Sequence, residues 1–269
     1  MDDLMLKTPP NTLIVIPARW ASERFPGKPL ALLKGASGQS RTLIARTVDA
    51  GLAVGAAAQL VVATDDIRIA EEARAAGANA VMTDPDARNG TERVADAVAR
   101  LDMAPDIVIN LQGDAPLTPP WYIEALIETM ADPSVDVATP VLEAAPDHLD
   151  RLRADRQAGR VGATTAVCGA GGRALYFSKE VLPFGGGART PVLHHVGVYA
   201  YRPAALKAYL SLTPGDAELA EGLEQLRFLE HGTPITCTKV EARGRAFWEV
   251  NTPEDIARVE AILMTEGRD

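Results

Sequence analysis

The sequence predicts an α/β fold with a mostly parallel central sheet flanked by helices, and three observations support this prediction. In the first half of the chain, short apolar runs alternate with longer helical patterns, the order typical of parallel strands joined by helices. In the second half, shorter strand patterns separated by glycine-rich turns indicate a smaller β-rich lobe. With 269 residues, 47% of them hydrophobic, the chain can bury a sizeable core without disulfides.

The first half is predicted to contain four strands and four helices in alternation. Leu13–Ile16 is a run of four apolar residues, which is typical of a strand buried on both faces of a parallel sheet. The predicted strands are Leu13–Pro17, Leu60–Thr64, Ala80–Thr83 and Ile107–Leu111, and the predicted helices are Thr42–Leu52, Ile67–Ala76, Thr91–Leu101 and Pro119–Met130.

The second half is predicted to contain three strands, at Asp136–Leu142, Arg160–Val167 and Ala174–Phe177, and two helices, at Ala217–His231 and Thr252–Met264. Gly169-Ala-Gly-Gly is predicted to form a hairpin turn, because no helical pattern follows it. Thr252 is predicted to cap the last helix, with Pro253 in its first turn. We expect one domain over residues 12–269, with halves at about 12–142 and 143–250 and a C-terminal helix at 251–269.

Composition excludes several classes of protein. A net charge of −9 argues against nucleic acid as a polymeric partner, although not against a single nucleotide. No apolar stretch reaches the roughly 18 residues of a membrane span, and residues 1–7 are acidic where a signal peptide is basic. We therefore expect a cytoplasmic protein with no membrane partner. Cys168 and Cys237 match no metal or redox spacing and are expected to be free thiols.

A basic loop follows the first predicted strand. It carries Arg19, Ser22, Arg24 and Lys28, which is a high density of cations for an acidic chain. Because the carboxyl ends of parallel strands form the usual ligand crevice of such folds, the loop is predicted to hold a polyphosphate. The alternative is a solvated surface loop. The segment Pro26-Gly-Lys-Pro lacks the features of a Walker A loop, so that side chains and local amides would bind the phosphates.

A second informative segment is Ile107-Val-Ile-Asn-Leu-Gln-Gly-Asp. Its apolar strand places Gln112 and Asp114 at the same edge of the predicted sheet. Mg²⁺ in proteins is usually held by one or two carboxylates together with substrate phosphates, so Asp114 is predicted to bind a metal beside the basic loop. Taken alone, a Gly-Asp pair at a strand end could equally be a turn.

Several segments together resemble the 3-deoxy-manno-octulosonate cytidylyltransferases, the CMP-Kdo synthetases. In the first half these are Leu13-Ile-Val-Ile-Pro-Ala-Arg, Arg24-Phe-Pro-Gly-Lys-Pro-Leu, Val61-Val-Ala-Thr-Asp-Asp, Asn89-Gly-Thr-Glu-Arg-Val-Ala and Asn110-Leu-Gln-Gly-Asp. In the second half they are Tyr176-Phe-Ser, His195-Val-Gly-Val-Tyr-Ala-Tyr-Arg, Leu223-Glu-Gln-Leu-Arg and Val250-Asn-Thr-Pro-Glu-Asp. The resemblance runs in collinear order from about residue 12 to 264.

The resemblance implies a nucleotide-diphospho-sugar transferase fold, a homodimer and a Mg²⁺-dependent reaction. CTP and 3-deoxy-manno-octulosonate (Kdo), a 2-keto-3-deoxy sugar acid, would give CMP-Kdo and pyrophosphate for lipopolysaccharide synthesis. The first half would bind the nucleotide, and the second would bind the acceptor and form the dimer.

The resemblance also assigns roles to individual residues. Arg19, Lys28 and Asp114 would be catalytic, with Asp114 and Asn251 at the metal. The nucleotide would contact Ala18, Arg19, Ser22, Arg24, Lys28, Asn89, Gly90, Thr91 and Gln112, and the acceptor would contact Gln112, Lys179, His195, Tyr199, Glu224 and Gln225. Read alone, His195 could equally be a structural histidine and Tyr199 a core residue.

Two departures from the family pattern concern the charge of the site. Ala115 stands where the family usually has Glu, and Asn251 stands where it usually has Asp. An amide oxygen can still coordinate Mg²⁺, but the site loses a negative charge. Three alternatives stay open: a variant acceptor such as 8-amino-Kdo or another small acid, a nucleotide other than CTP, and a nucleotide-binding protein with weak catalysis.

Overall fold

The computed structural model describes residues 10–22, 24–55, 59–160, 163–187 and 190–269. The acidic N-terminal segment that argued against a signal peptide lies outside these residues, as does part of the predicted strand 160–167. The α/β fold class is confirmed. A ten-stranded sheet carries helices on its faces, and a separate two-stranded sheet lies beside it.

The helices and strands have the following bounds, numbered in chain order. The strands are β1 Thr12–Ala18, β2 Leu32–Lys34, β3 Ser40–Thr42, β4 Gln59–Thr64, β5 Asn79–Met82, β6 Ile107–Leu111, β7 Val137–Glu143, β8 Thr164–Cys168, β9 Ala174–Ser178, β10 Leu193–His195, β11 Val198–Tyr201 and β12 Thr236–Lys239. The helices are α1 Leu43–Leu52, α2 Ile67–Ala75, α3 Gly90–Arg100, α4 Pro120–Thr129, α5 Pro146–Gln157, α6 Pro203–Tyr209, α7 Asp216–Glu221, α8 Leu226–Glu230 and α9 Glu254–Glu266.

The large sheet has the strand order β5-β4-β1-β6-β11-β7-β10-β8-β9, with β12 pairing alongside β7. The strands of the first half, β5, β4, β1 and β6, are parallel to their neighbours, as predicted. The strands of the second half extend the same sheet mostly by antiparallel pairing, starting from β11 against β6. The strands on both sides of the predicted boundary near residue 142 therefore share one sheet.

The parallel pairing decides where the basic loop lies. β1 and β6 run in the same direction in a register that pairs Ile14 with Ile109 and Val15 with Asn110. Both strands therefore end at the same edge of the sheet, where β1 leads into the basic loop and β6 leads into Gln112 and Asp114. The side chains predicted to bind phosphate and metal are thus brought together by strand direction.

Three apolar clusters hold this arrangement in place. One packs α3, α6 and α8 against one face of the sheet, and a second packs α1, α2 and α4 against the other. The third joins α9 to β2 and α1 through Leu33, Leu43, Leu117, Val250 and Val259. Val250 is fully buried in this cluster, which fixes the segment that precedes α9.

Several elements were not predicted from the sequence. They are the hairpin of β2 and β3, helices α5 and α6, and strands β10, β11 and β12. The Gly169 turn between β8 and β9 is confirmed as a hairpin connection. Helix α9 begins at Glu254 rather than at Pro253, and the Asp255 carboxylate accepts the Thr252 N–H at 2.8 Å, so Thr252 does not cap the helix through its own side chain.

The predicted helix Ala217–His231 is two helices, α7 and α8. Gly222 ends α7 in the left-handed conformation, with φ of 61°, which glycine adopts at little cost. The chain then runs through Leu223, Glu224 and Gln225 before α8 begins. The break matters for function, because Glu224 and Gln225, two residues predicted to bind the acceptor, lie in a loop and not in a helix.

Cys168 and Cys237 are both free, as predicted, and both line one cavity. Across the described ranges, no helix is both long and apolar enough to cross a membrane.

Candidate active site

A cavity of about 410 Å³ opens at the carboxyl edge of β1 and β6, and we call it the basic cavity. It brings together eight of the nine residues predicted to bind the nucleotide, together with Asp114. Its walls include Ala18, Arg19, Ser22, Arg24, Lys28, Asn89, Gly90, Gln112 and Asp114. Arg19 and Arg24 are exposed, and they can move toward a ligand at little cost in packing.

Lys28 and Asp114 form an ion pair in this cavity. The Lys28 Nζ lies 2.6 Å from Asp114 Oδ2, and both side chains are largely shielded from solvent. The same ammonium donates to the backbone carbonyl of Val250 at 2.9 Å. The pair therefore ties the basic loop both to the end of β6 and to the segment before α9.

Two glycines allow side chains and strands to approach closely at the cavity. A Cβ atom at Gly113 would lie 2.6 Å from the Pro17 carbonyl oxygen, which is closer than real Cβ atoms come. A Cβ at Gly90 would lie 3.0 Å from the side-chain amide of Gln112. Gly113 thus lets the ends of β1 and β6 meet, and Gly90 lets Gln112 lie over the start of α3.

We expect Gly113→Ala to destabilise the protein by about 1–3 kcal/mol, because the new methyl group would press on backbone that cannot rotate away. Thermal denaturation would measure the loss. Gly169→Ala is the matched control, since its Cβ would come no nearer than 3.5 Å to another atom. An equal stability change in both variants would show that the approach of Gly113 to Pro17 imposes no constraint.

Asn89 and Thr91 have structural roles next to the basic cavity. Asn89 caps α3, because its Oδ1 accepts the Glu92 N–H at 2.8 Å, while its Nδ2 donates to the Tyr209 hydroxyl. Thr91 is buried and does not line the cavity. Its N–H donates to Glu224 Oε2 at 3.2 Å, and its hydroxyl contacts that of Tyr201. Thr91 is thus placed to position Glu224, and its predicted nucleotide contact is not seen in the cavity wall.

Arg93 is a cavity residue that sequence analysis did not select. It lines the basic cavity from α3, and its guanidinium donates to Asp65 at 2.9 Å and to Thr83 at 2.7 Å. Asp65 in turn accepts the Trp20 N–H. Arg93 therefore links the basic loop to the ends of β4 and β5, so that its guanidinium both supports the loop and adds positive charge behind it.

A second cavity of about 440 Å³ adjoins the first, and we call it the aromatic cavity. All six residues predicted to bind the acceptor line it: Gln112, Lys179, His195, Tyr199, Glu224 and Gln225. They come from β6, the end of β9, β10, β11 and the break between α7 and α8. The cavity also has walls from His194, Phe247, Trp248 and Glu249, which sequence analysis did not select.

The ring side chains of the aromatic cavity are held neutral. His195 is buried, its Nε2 lies 2.9 Å from the Thr139 hydroxyl, and burial lowers its pKa to about 3. Burial also raises the pKa of Tyr199 well above its usual value. Near neutral pH both groups can therefore act only as neutral hydrogen-bonding groups or packing surfaces. A structural role for His195 and Tyr199, which the sequence left open, is therefore compatible with their position in the cavity wall.

The loop between α7 and α8 places Glu224 and Gln225 at the aromatic cavity, and a buried ion cluster anchors it. Arg227 donates to Glu218 at 2.6 Å and to Glu92 at 3.1 Å, which joins α8 to α7 and α3. Burial is the main cause that raises the pKa of Glu224. Lys179 approaches the turn at Gly222 and brings a cation to the same cavity.

The two cavities meet at three shared residues, Arg24, Gln112 and Asp114. A ligand that carries negative charge can occupy the basic cavity while a polar ligand occupies the aromatic cavity. The atoms that react would then meet beside Asp114. This arrangement suits a transfer between two substrates, because the protein can hold each substrate in its own cavity and align the reacting groups at the junction.

Glu249 contributes a second carboxylate to this junction. Burial, then the negative charge of Asp114, raises the pKa of Glu249 to about 7, while Lys28, the Asn251 amide and the Gly197 N–H favour its charged form. Asn251 also lines the aromatic cavity, and its Oδ1 accepts from Arg24 at 3.0 Å. Ala115, the other departure from the family pattern, is fully buried, and neither cavity includes it in its wall.

Comparison with known proteins gives a consistent result. A family model described as cytidylyltransferase matches residues 13–239. The chain is 49% identical to the 3-deoxy-manno-octulosonate cytidylyltransferase of Maricaulis maris, over 96% of this chain and 98% of that one. It is 38% identical to the enzyme of the same name from Chlamydia abortus, over 93% of this chain and 92% of the other.

Solved structures agree. A CMP:2-keto-3-deoxy-manno-octonic acid synthetase complexed with CTP superposes with a TM-score of 0.81 at 34% identity, covering 95% of this chain and 99% of that one. A nucleotidyl transferase from Methanothermobacter thermautotrophicus has a TM-score of 0.56 at 18% identity, over 95% of this chain and 99% of the other, and shares the fold.

Proposed function

The chain belongs to the 3-deoxy-manno-octulosonate cytidylyltransferases, and we propose that it transfers CMP from CTP to Kdo with release of pyrophosphate. The observation that carries the proposal is the junction of the two cavities at Arg24, Gln112 and Asp114. CTP fits the basic cavity by charge, and the sugar acid fits the aromatic cavity, where Lys179 supplies a cation.

In this reaction the anomeric hydroxyl oxygen of the acceptor forms a bond to the α-phosphorus of CTP while the bond to pyrophosphate breaks, and the hydroxyl proton passes to solvent. The attacking and leaving oxygens lie roughly in line, so the protein mainly positions the reactants and offsets negative charge. Arg19, Arg24 and Lys28 line the basic cavity, in which the triphosphate would lie. There they would stabilise the negative charge that grows on the departing pyrophosphate. No nucleophilic side chain is required.

The aromatic cavity offers the acceptor several polar groups. Lys179 can pair with its carboxylate, and Gln112, Glu224 and Gln225 can bind its hydroxyl groups. The neutral His195 and Tyr199 lie deeper in the wall, and they limit the depth to which the sugar can enter. The acceptor's hydroxyl group would thereby stay near Asp114.

We propose Mg²⁺ as the cofactor. The donor set at the junction fits a hard divalent cation, since Asp114 and Glu249 offer carboxylate oxygens and the phosphates would supply the other ligands. The amide oxygen of Asn251, which the resemblance places at the metal, accepts from Arg24. Within the described residues, no group of three or more His, Cys, Asp or Glu side chains is arranged to hold a metal ion. When bound, Mg²⁺ would neutralise phosphate charge.

Pyrophosphate release tests the function. Purified protein with Mg²⁺ would be mixed with each of the four nucleoside triphosphates and with Kdo, 8-amino-Kdo or a small phosphonate. We expect release with CTP and Kdo, and little release with the other nucleotides. Release only with 8-amino-Kdo would mean that this analogue, and not Kdo, is the acceptor. No release with any pair of substrates would contradict the proposed enzymatic activity.

A homodimer is the expected assembly. Leu175 lies exposed on β9, which is an edge strand of the large sheet, and Phe184 in the following loop is fully exposed. Exposed apolar side chains beside an open sheet edge are typical of an interface. Light scattering on the purified protein should give twice the mass of the chain, whereas the mass of one chain at micromolar concentration would contradict the dimer.

The proposed compartment is the cytoplasm. Free thiols such as Cys168 and Cys237 persist most readily under reducing conditions. The activated sugar would then serve lipopolysaccharide synthesis. Fractionation of the producing cells would locate the protein.

A further inference from the structure

We propose that Glu249 supplies the second carboxylate of the metal site, in place of the acid that the family pattern predicts at residue 251, and that Asn251 positions it. The inference rests on the proposed function, which places a divalent cation beside the phosphates of CTP. It concerns a residue that lies outside the family motifs found in this chain and that the fold brings to Asp114.

The path of the chain places residues 249 and 251 on the same side. Val250 is fully buried in the third apolar cluster, whereas Glu249 and Asn251 both line the aromatic cavity. This alternation is that of an extended segment, in which residues two apart lie roughly 7 Å from each other on one face. An acid moved from 251 to 249 therefore still faces the junction, and the longer side chain of Glu extends its reach.

The segment is held firmly against Asp114. The Val250 N–H donates to the Asp114 carbonyl oxygen at 2.9 Å, and the Val250 carbonyl accepts from Lys28 at the same distance. Lys28 also pairs with the Asp114 carboxylate at 2.6 Å. The backbone next to Glu249 is thus joined to the Asp114 backbone and to the Lys28 side chain, so it is held at a fixed distance from Asp114.

The side chain of Asn251 has one orientation that satisfies its neighbours. Its Oδ1 accepts from Arg24 at 3.0 Å, and because a guanidinium can only donate, the amide oxygen must face Arg24. The amide nitrogen is then left for Glu249, whose charged form the Asn251 side chain favours. An Asp at 251 could accept from Arg24 but would set a second carboxylate against Glu249. Asparagine at 251 therefore complements an acid at 249.

The backbone opposite leaves room for this carboxylate. A Cβ atom at Gly197 would lie 2.8 Å from Glu249 Oε1, so that only glycine permits the present position of the carboxylate. The N–H of Gly197 favours the charged form of this carboxylate. With Glu249, the junction contains two carboxylates, and one or two carboxylates together with substrate phosphates are the usual ligands of Mg²⁺.

Metal binding measured directly tests the inference. Mn²⁺, which takes the same oxygen ligands, would be titrated into the full-length protein saturated with CTP and without acceptor, and bound Mn²⁺ would be read by electron paramagnetic resonance. We expect Glu249→Gln to weaken Mn²⁺ binding about 10-fold or more. The double variant Glu249→Gln with Asn251→Asp should recover most of the affinity, because it restores an acid on the same face.

The controls separate a ligand from a structural role. Glu241→Gln removes an exposed acid nearby and should leave Mn²⁺ affinity unchanged. Melting temperatures would show whether each variant folds. If Glu249→Gln does not fold, Glu249→Asp is the alternative: it keeps the charge, but its shorter side chain moves the carboxylate oxygens away from the metal, so Mn²⁺ binding should also weaken.

Equal Mn²⁺ affinity in wild type and Glu249→Gln would overturn the inference. So would a double variant that stays as weak as Glu249→Gln. Neither result bears on the function itself, which the release of pyrophosphate by the wild type decides separately. A wild type that binds Mn²⁺ but releases no pyrophosphate would refute the function and leave the ligand assignment to the Mn²⁺ comparison.

Discussion

Asp114→Asn is expected to abolish Mg²⁺-dependent pyrophosphate release while the protein stays folded. Asp114 lies at the junction of the two cavities, and the change replaces one oxygen anion with a neutral amide of the same shape. If Asp114 binds Mg²⁺ as proposed, the cation would lose a carboxylate ligand beside the reacting groups. Turnover at saturating CTP and Kdo would measure the effect.

The stability of the Asp114→Asn variant should change little. Lys28 keeps its hydrogen bond to the Val250 carbonyl and still faces the acidic side chain of Glu249. We expect a loss of about 1 kcal/mol, which shifts the melting temperature by about 2–4 °C. Asp150→Asn, which removes an exposed acid on α5, is the control and should keep full activity. An inactive variant that is also unfolded would mean that Asp114 mainly maintains the turn.

The parallel half of the fold could be predicted because its strands are buried on both faces. A run such as Leu13–Ile16 is apolar throughout, and the helices between such runs are long enough to show their own periodicity. β10 and β11 have only three and four residues and lie two residues apart, so their pattern is too short to separate from a loop. Their antiparallel pairing with β6 and β7 depends on distant sequence that no local pattern specifies.

The acceptor residues were predicted from the resemblance to a family and not from their spacing in the chain. Lys179, His195 and Glu224 are far apart in the chain, yet all line one cavity. Glu249 was missed because comparison with a family pattern proceeds position by position. That comparison registers Asn251 as a lost acid and does not register a gained acid two residues earlier. Only the fold shows that both positions face Asp114.

Gly222 shows why helix propensity alone could not predict the break between α7 and α8. Residues 217–231 form a helical pattern in sequence, and a glycine inside it is tolerated at a cost of about 1 kcal/mol. The structure instead uses Gly222 to end α7, because Arg227 is paired with Glu218 and Glu92 on separate helices. Tertiary ion pairing thus accompanies the break that places Glu224 and Gln225 in the wall of the aromatic cavity.

Lys28→Ala is expected to lower kcat by about 10²-fold or more, because the ammonium stabilises charge that moves to pyrophosphate in the transition state. Lys28 lines the basic cavity, and in the absence of nucleotide its charge is balanced by Asp114. Lys207→Ala, which removes an exposed lysine from α6, is the control and should leave kcat unchanged. Steady-state rates at saturating CTP and Kdo would be compared for the three proteins.

The loss in Lys28→Ala can be separated from a loss of metal. The ammonium contacts Asp114 Oδ2 at 2.6 Å, so its removal frees a carboxylate oxygen and takes one positive charge away from Asp114 and Glu249. Mn²⁺ should therefore bind to the CTP-saturated variant at least as tightly as to wild type, even though turnover falls. An unchanged kcat would remove Lys28 from the catalytic residues. A parallel fall of kcat and Mn²⁺ affinity would mean that Lys28 acts by organising the metal ligands, because a residue that only stabilises the departing pyrophosphate leaves the affinity for the cation intact.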